Sequence, residues 1–380
     1  MEQGVINFTV SARKYRPATF STVLGQEPVT NSLKNAIKSS HLGHALLFCG
    51  PRGVGKTTCA RILAKALNCE NLSEDGEPCG ICNSCVTAQN QQSFNIYELD
   101  AASNNSVEDI RALNDQVRFA PQSGKYKVYI IDEVHMLSQA AFNAFLKTLE
   151  EPPSYAKFIL ATTEKHKILP TILSRCQVYD FRRISIKYAI EQLIDICNKE
   201  GISYEETALH IIAQKADGAM RDALSIFDRV ISFTGKSINY QDVIQQLNVL
   251  DYDYYFKLCD YFLASDLAEV MLLFNEILDK GFDAGHFLTG ISEHIRNLMM
   301  CKNANTTQLL EMSEGTQVLY IDQAKKFNLD WIISGLNIIN QFDVNFKTAR
   351  NQRLHVEMAL MKLCYLHQAL TVEELIEKKN

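Results

Sequence analysis

The run Gly50-Pro-Arg-Gly-Val-Gly-Lys56-Thr57 sets Gly50, Gly53 and Gly55 ahead of a lysine and two threonines, Thr57 and Thr58. It fits G-x-x-x-x-G-K-[ST], a loop whose backbone N–H groups converge on phosphate oxygens at the positive end of the following helix. In that role Lys56 would reach the β- and γ-phosphates of a nucleoside triphosphate, and the Thr57 hydroxyl would coordinate Mg²⁺. Val54 and Thr58 belong to the same contact set. Further along, Val128-Tyr-Ile-Ile-Asp132-Glu133 is an apolar run ending in two acids. Any strand can end in acids, because strand ends meet solvent. Beside a phosphate loop, though, Asp132 would lie near the Mg²⁺ and Glu133 would polarise the attacking water. A loop that only stored nucleotide would not need Glu133, so hydrolysis is favoured.

A second chemistry is written in Cys69-x₉-Cys79-x₂-Cys82-x₂-Cys85. Four thiolates in a turn-rich stretch suit a tetrahedral Cys₄ zinc site, structural because no coordination position is left open. An iron–sulfur cluster is the alternative for the same ligand set. Metal binding would then supply folding energy on the order of 10 kcal/mol to this insertion. Cys49, Cys197, Cys259, Cys301 and Cys364 read as free buried thiols.

Positioning these groups calls for a particular scaffold. Residues 1–180 alternate strand-like and helix-like segments, the pattern of a parallel α/β sheet. Strands are expected at Ala45–Cys49, Val128–Ile131, Phe158–Ala161 and Gln177–Phe181. Lys56–Leu67 has helical spacing, and Ser138 caps a helix carrying Phe142, Phe145, Leu146 and Leu149, stopped by Pro152-Pro153. Past Ile184 the strand signals fade. Ile186–Asn198, Glu205–Ala216 and Arg221–Phe233 read as short amphipathic helices, and Tyr254–Ala264, Leu267–Leu278 and Arg353–Ala369 as longer ones. Three parts are expected: an α/β nucleotide-binding core over 1–182 with the zinc insertion at 69–85, a small helical domain over 183–245, and a larger helical domain over 246–380.

Other residues are ambiguous on their own. Thr162 and Thr163 close the third strand, where one hydroxyl could hold a γ-phosphate, or both could simply be β-branched strand residues. Arg175 follows a short helix begun by Pro170, a place where an arginine is usually a solvated charge. Arg221 stands in the first turn of a helix, where the dipole disfavours a cation; that conflict hints at an external anion.

The 380 residues accommodate two or three domains of about 150 each. A hydrophobic content of 47% is that of a globular chain, and a net charge of −6 provides no overall field for nucleic acid. No apolar run is long enough to span a membrane, and Met1-Glu-Gln-Gly-Val-Ile-Asn does not resemble a signal peptide. With an odd 11 cysteines, four at metal spacing, a reduced, cytoplasmic setting is expected.

Taken together, the motifs resemble the gamma/tau family of bacterial DNA polymerase III subunits, which are AAA+ clamp-loader ATPases. The resemblance runs through Ala12-Arg-Lys-Tyr-Arg-Pro17, Phe20, Gly25-Gln26, the phosphate loop, the four cysteines, Glu98-Leu-Asp-Ala-Ala-Ser103 and Ile131-Asp-Glu-Val-His-Met-Leu137. It continues through Phe145-Leu-Lys-Thr-Leu-Glu-Glu-Pro-Pro153, Ala161-Thr-Thr163, Ser174-Arg-Cys176 and Gly218-Ala-Met-Arg-Asp-Ala223. It is dense over about 8–245 and rests on helical character beyond. The resemblance implies that Arg175 is an arginine finger acting in trans on a neighbour's ATP, Thr163 the sensor 1 residue and Arg221 sensor 2. Arg13, Tyr15 and Pro17, with Val23, match the region that cradles adenine. Implied partners are delta- and delta-prime-like subunits, further copies of the chain, a sliding clamp and primed template DNA. In two places the sequence departs from the family pattern. The loop Asn104-Asn105-Ser106 lacks the basic residues common in relatives, and no long basic, Pro-rich extension precedes Asn380, so a short or truncated form is expected. Competing readings are a helicase, from the D-E-x-H pattern Asp132–His135, and a nucleotide-locked scaffold without turnover.

Overall fold

The computed structural model describes residues 9–90, 92–121, 124–247, 250–310, 312 and 314–377, with side chains as far as 369. The start at Met1-Glu-Gln-Gly-Val-Ile-Asn and the end at Asn380 lie outside the described residues. Two compact units divide between Ser237 and Ile238.

The first unit is built on five parallel strands, β1 (Ala45–Cys49), β2 (Ile96–Asp100), β3 (Lys127–Asp132), β4 (Ala156–Thr162) and β5 (Gln177–Asp180), in the order β2-β3-β4-β1-β5. β1, β3 and β4 are almost continuously apolar because helices cover both sheet faces. One face carries Leu47, Tyr129, Ile131, Phe158 and Leu160 against helices Val107–Val117 and Gln139–Glu150. The other carries Leu46, Phe48, Val128, Ile130 and Ile159 against helices Glu27–Lys38 and Lys56–Leu67. Ser138 caps helix Gln139–Glu150, its hydroxyl accepting from the Ala141 N–H at 3.2 Å. β2 is the strand that pattern reading does not assign. Its sequence, Ile-Tyr-Glu-Leu-Asp, lies at a sheet edge with both faces partly exposed, so it has no reason to be apolar throughout.

Three helices follow in the same unit: Ile186–Glu200, capped by Ser185 and ended by left-handed Gly201, then Glu206–Lys215 and Met220–Thr234. The short helix Ser11–Lys14 docks on the last of them through Ser11 N–H and Asp228 Oδ2 at 2.8 Å.

The second unit is helical, with Tyr252–Ala264, Leu267–Asp279, Ala284–Met300, Glu314–Lys326, Leu329–Phe346 and Gln352–Glu377 packed around Phe262, Phe274, Phe287, Trp331 and Leu363. Among the described residues no helix is long and apolar enough to cross a membrane. A polar chain runs through this core. His294 Nε2 lies 2.8 Å from Gln323 Oε1, and the Tyr320 hydroxyl lies 3.0 Å from Nδ1. Gln323 Nε2 donates to the Phe256 carbonyl at 2.8 Å, so its Oε1 must accept; Nε2 of the histidine therefore carries the proton and Nδ1 accepts from the tyrosine.

Burial pushes the His294 pKa down to about 4. The unfolded chain takes up this proton near pH 6.5, before the folded one does. The stabilisation is thus complete above pH 6.5 and is lost as pH falls toward about 4, up to about 3 kcal/mol. The thermal transition of the helical unit, followed by calorimetry of the whole chain between pH 7 and 4, should move down with acid. In His294→Gln that acid-dependent component should be missing.

Candidate functional site

Parallel register brings the reactive ends of three strands to one edge. Cys49 pairs with Thr162 across β1 and β4, and Ile131 with Leu160 across β3 and β4. Gly50 and Thr163 continue from β1 and β4, and Asp132 ends β3, at the carboxyl edge where the strand order reverses about β1.

The loop after β1 passes through a space that excludes side chains. Gly50 has φ +147°, and a Cβ there would sit 2.4 Å from the Phe181 carbonyl oxygen just past β5. At Gly53, with φ +77°, a Cβ would meet the Ala219 methyl at 2.9 Å. The helix Lys56–Leu67 has Gly55 at its N-cap, and no side chain caps its first turn, which is the donor arrangement a phosphate group requires. Lys56 is buried, and its ammonium donates to the carbonyls of Gly50 and Pro51, both at 2.7 Å. Burial lowers its pKa, opposed by the charges of Glu133 and Asp132. Val54 is buried and Thr58 half-buried in the same turn.

Opposite the loop, the Thr57 hydroxyl donates to Asp132 Oδ2 at 2.6 Å. This couples the two residues expected to share a cation. Glu133 adopts a left-handed conformation, φ 47°, unusual for a residue with a side chain. Its Oε2 accepts from the Thr163 hydroxyl at 2.9 Å and the Thr163 N–H at 3.2 Å. The ring of His135 sits behind this acid: Nδ1 is 3.0 Å from Thr162 Oγ1 and 3.4 Å from Glu133 Oε2, and Nε2 is 3.2 Å from Glu164 Oε1. In the sequence His135 stands only as part of a motif; its contacts with Thr162, Glu133 and Glu164 come from the turn Val134–Met136. Gln26 is a second residue without a sequence-derived role. Its buried amide donates to the Arg182 carbonyl at 2.7 Å and accepts from the Arg182 N–H at 3.2 Å, holding the chain beyond β5 beside the loop.

Arg221 N–H reaches the Gly53 carbonyl at 3.4 Å, so the first turn of helix Met220–Thr234 abuts the phosphate loop, with the Arg221 side chain exposed. Val23 is buried, with Cγ1 3.7 Å from the position of a Cβ on Gly55. Tyr15 and Lys14 both bond the Glu200 carboxylate, Arg13 is exposed, and Pro17 is half-buried. Arg175 turns to its own chain, bonding Glu150 Oε1 at 2.7 Å and the Thr171 carbonyl at 2.8 Å. The loop Asn104–Ser106 is tied locally: Ser106 caps helix Val107–Val117, Asn104 Nδ2 bonds the Asp100 carbonyl at 3.0 Å, and Arg111 is exposed.

Cys69, Cys79, Cys82 and Cys85 converge so that their sulfurs all lie within 4.8 Å of one another. Zn–S bonds of about 2.3 Å place tetrahedral thiolates about 3.8 Å apart, so this ligand set fits the ion with small adjustments. Backbone N–H groups of Cys82 and Ile81 draw the Cys79 thiol down to about 6, and burial pushes Cys85 up. Cys49, Cys197, Cys259, Cys301 and Cys364 are buried free thiols, as expected.

Family models match in three consecutive blocks. "DNA polymerase III, delta subunit" covers 25–185, "DNA polymerase III clamp loader subunit, ATPase lid domain" 189–236, and "DNA polymerase III subunits gamma and tau domain III" 238–378. A DNA polymerase III subunit tau of Bacillus subtilis is 40% identical over 93% of this chain and 62% of its own length. The Escherichia coli tau subunit is 44% identical over 73% of this chain and 43% of its own. The chain thus spans about half of these tau subunits. A DNA polymerase III subunit gamma of Buchnera aphidicola is 34% identical over 95% of this chain and 98% of its own. Matched from end to end by a gamma subunit, and block by block by the family models, the chain belongs to the gamma and tau family of DNA polymerase III clamp-loader subunits.

Proposed function

We propose that the chain is an ATPase motor subunit of a clamp loader, using ATP binding to open a sliding clamp and hydrolysis to release it on primed template DNA. The observation that carries this reading is the meeting of Thr57, Asp132, Glu133 and Thr163 at one sheet edge, beside an uncapped helix start. The triphosphate would lie along the N–H groups of Gly53–Thr58, with Lys56 turning from its two carbonyls to the β- and γ-phosphates. Mg²⁺, held by Thr57 and Asp132, would offset the charge of those phosphates. Val23, with Arg13, Tyr15 and Pro17, is assigned to the adenine side, and Arg221 to the lid contact with the phosphates. Glu133 takes a proton from the attacking water, and Thr163 keeps the carboxylate in place.

In this proposal 1–182 forms the nucleotide-binding core, 183–245 the lid and 246–380 the collar. The four cysteines hold a structural zinc ion, which supplies a rigid cross-link and no chemistry at phosphate. Partners are delta- and delta-prime-like subunits, further copies of this chain, the clamp and the DNA, assembled in the cytoplasm. Arg175 serves a neighbour's nucleotide, which accounts for its position on an exposed turn rather than at Gly50. The helicase alternative asks for a second motor domain or a hexameric ring, and no second α/β domain stands among the described residues from Tyr240 to Glu377, where every element is a helix.

Two substitutions test the assignments. Glu133→Gln should retain ATP, measured by equilibrium binding, while single-turnover hydrolysis falls on the order of 10²–10⁴-fold; near-normal hydrolysis would remove Glu133 from the mechanism. Arg175→Ala in the assembled complex should lower the clamp- and DNA-stimulated ATPase by about 10³-fold or more. The isolated chain's slow basal rate should stay the same. An unchanged stimulated rate would refute action in trans.

A further inference from the structure

One side chain of the loop that carries the four cysteines grips the segment leading to Val23 beside the phosphate loop. Glu77, two positions before Cys79, accepts from the Phe20 N–H at Oε2 and from the Ser21 N–H at Oε1, both at 2.8 Å. It also pairs with Lys34 at 2.6 Å, and the two side chains are only 15% and 18% exposed. Its backbone is set by a tight turn: Glu77 N–H donates to Ser73 Oγ at 2.9 Å, and Ser73 N–H to the Glu77 carbonyl at 3.0 Å. A Cβ on Gly76, with φ +77°, would come within 3.4 Å of the Lys34 carbonyl, so the turn lies flat on helix Glu27–Lys38.

Phe20 and Ser21 open a single 3₁₀ turn, Phe20–Thr22, that delivers Val23 against Gly55 of the phosphate loop. The same segment is gripped from the other side, where Lys65 of the phosphate-loop helix donates to the Ala18 carbonyl at 3.0 Å. Three charge-assisted bonds on one largely dry carboxylate make a firm anchor, provided the loop presenting it is ordered. Residues 70–77, Glu-Asn-Leu-Ser-Glu-Asp-Gly-Glu, are mostly exposed and polar and have little apolar surface to order themselves. What closes this stretch is the cysteine cluster, Cys69 on one side and Cys79 on the other.

We propose that the metal-bound cysteine cluster clamps the adenine side of the nucleotide site, and that Glu77 is the positioning residue that transmits the clamp to Phe20–Val23. This rests on the reading of Gly50–Thr57 as a nucleotide site and of the cysteines as a thiolate metal site. Metal occupancy and nucleotide affinity are then coupled, and the coupling is reciprocal.

The test uses the whole chain, loaded with zinc or stripped by chelation under reducing conditions, desalted and returned to Mg²⁺. Titration with N-methylanthraniloyl-ADP, read by fluorescence, gives the affinity. Stripping wild type should weaken binding about tenfold, within the usual range of coupling between sites. Glu77→Ala should keep its zinc, by metal analysis, and bind the nucleotide about as weakly as the stripped wild type. Stripping Glu77→Ala should then change the affinity less than twofold, and Glu77→Gln, which retains an acceptor, should fall between. In the reverse direction, saturating nucleotide should slow zinc transfer to a competing chelator in wild type and not in Glu77→Ala. The proposal is overturned if zinc-loaded Glu77→Ala binds like wild type, or if the two perturbations multiply. A wild-type chain that takes up no zinc, or no nucleotide, would instead overturn the underlying reading, and Lys56→Ala, losing nucleotide but not zinc, is the control that tells these apart.

Discussion

Bringing a backbone within hydrogen-bonding reach of a polyanion leaves no room for side chains, and the first unit is organised around one place where that room is absent. Gly50 passes so close to the Phe181 carbonyl that a methyl group would overlap it at 2.4 Å. That contact requires β5 to lie directly beside β1, which the register Cys49 with Asp180 provides. It also requires the chain after β5 to be held, and the Gln26 amide bonds Arg182 on both its N–H and its carbonyl. The lid enters through the same constraint, since Ala219 fills the space at Gly53 where a side chain would otherwise project. Strand order, lid position and loop composition thus follow from a single steric condition.

Within that frame the charged groups of the site are bonded to neighbouring protein groups. Lys56, buried and with its pKa lowered by desolvation, finds two carbonyls of its own loop. Asp132 accepts from Thr57, and Glu133 from Thr163. Glu133 stands apart, in a left-handed conformation that costs on the order of 1–3 kcal/mol and is kept by the contacts around it. Two of those contacts come from Thr163 and one from His135.

The legible part of this molecule is the part where burial dictates residue type. β1, β3 and β4 sit under helices on both faces, so their sequences are apolar runs; helix Lys56–Leu67 repeats Ala60, Leu63 and Ala64 because those positions are fully buried. β2, partly exposed on both faces and carrying Glu98 and Asp100, does not read as an apolar run. Helix Glu27–Lys38 is not assigned from the sequence either: of its 12 residues only Val29, Thr30 and Leu33 are buried, so its apolar stripe is short. At the site, the phosphate loop and the two acids follow from spacing alone, because their chemistry demands fixed residue types. The positions of His135, Gln26 and Glu77 do not. Each acts through a partner distant in sequence, Glu164, Arg182 and Phe20 respectively, and no local pattern encodes such pairings.

Arg175 shows how an exposed charge can be held ready without being fixed. Its pair with Glu150 is half in water, with the side chains 34% and 49% exposed, and exposed pairs of this kind contribute about 0–1 kcal/mol. The Thr171 carbonyl adds a second neutral partner at 2.8 Å. Transferring the guanidinium to a neighbour's phosphate would therefore cost little on the donor side, while a polyphosphate in a largely closed site offers a much stronger bidentate partner. Lys56 is in the opposite situation, buried in its loop and unable to leave it. In the proposed assembly Lys56 and Arg175 thus differ in their surroundings: the chain's own lysine is held within its loop, and the arginine from next door is only loosely tethered. Assembly, rather than nucleotide binding alone, then determines when the site is complete.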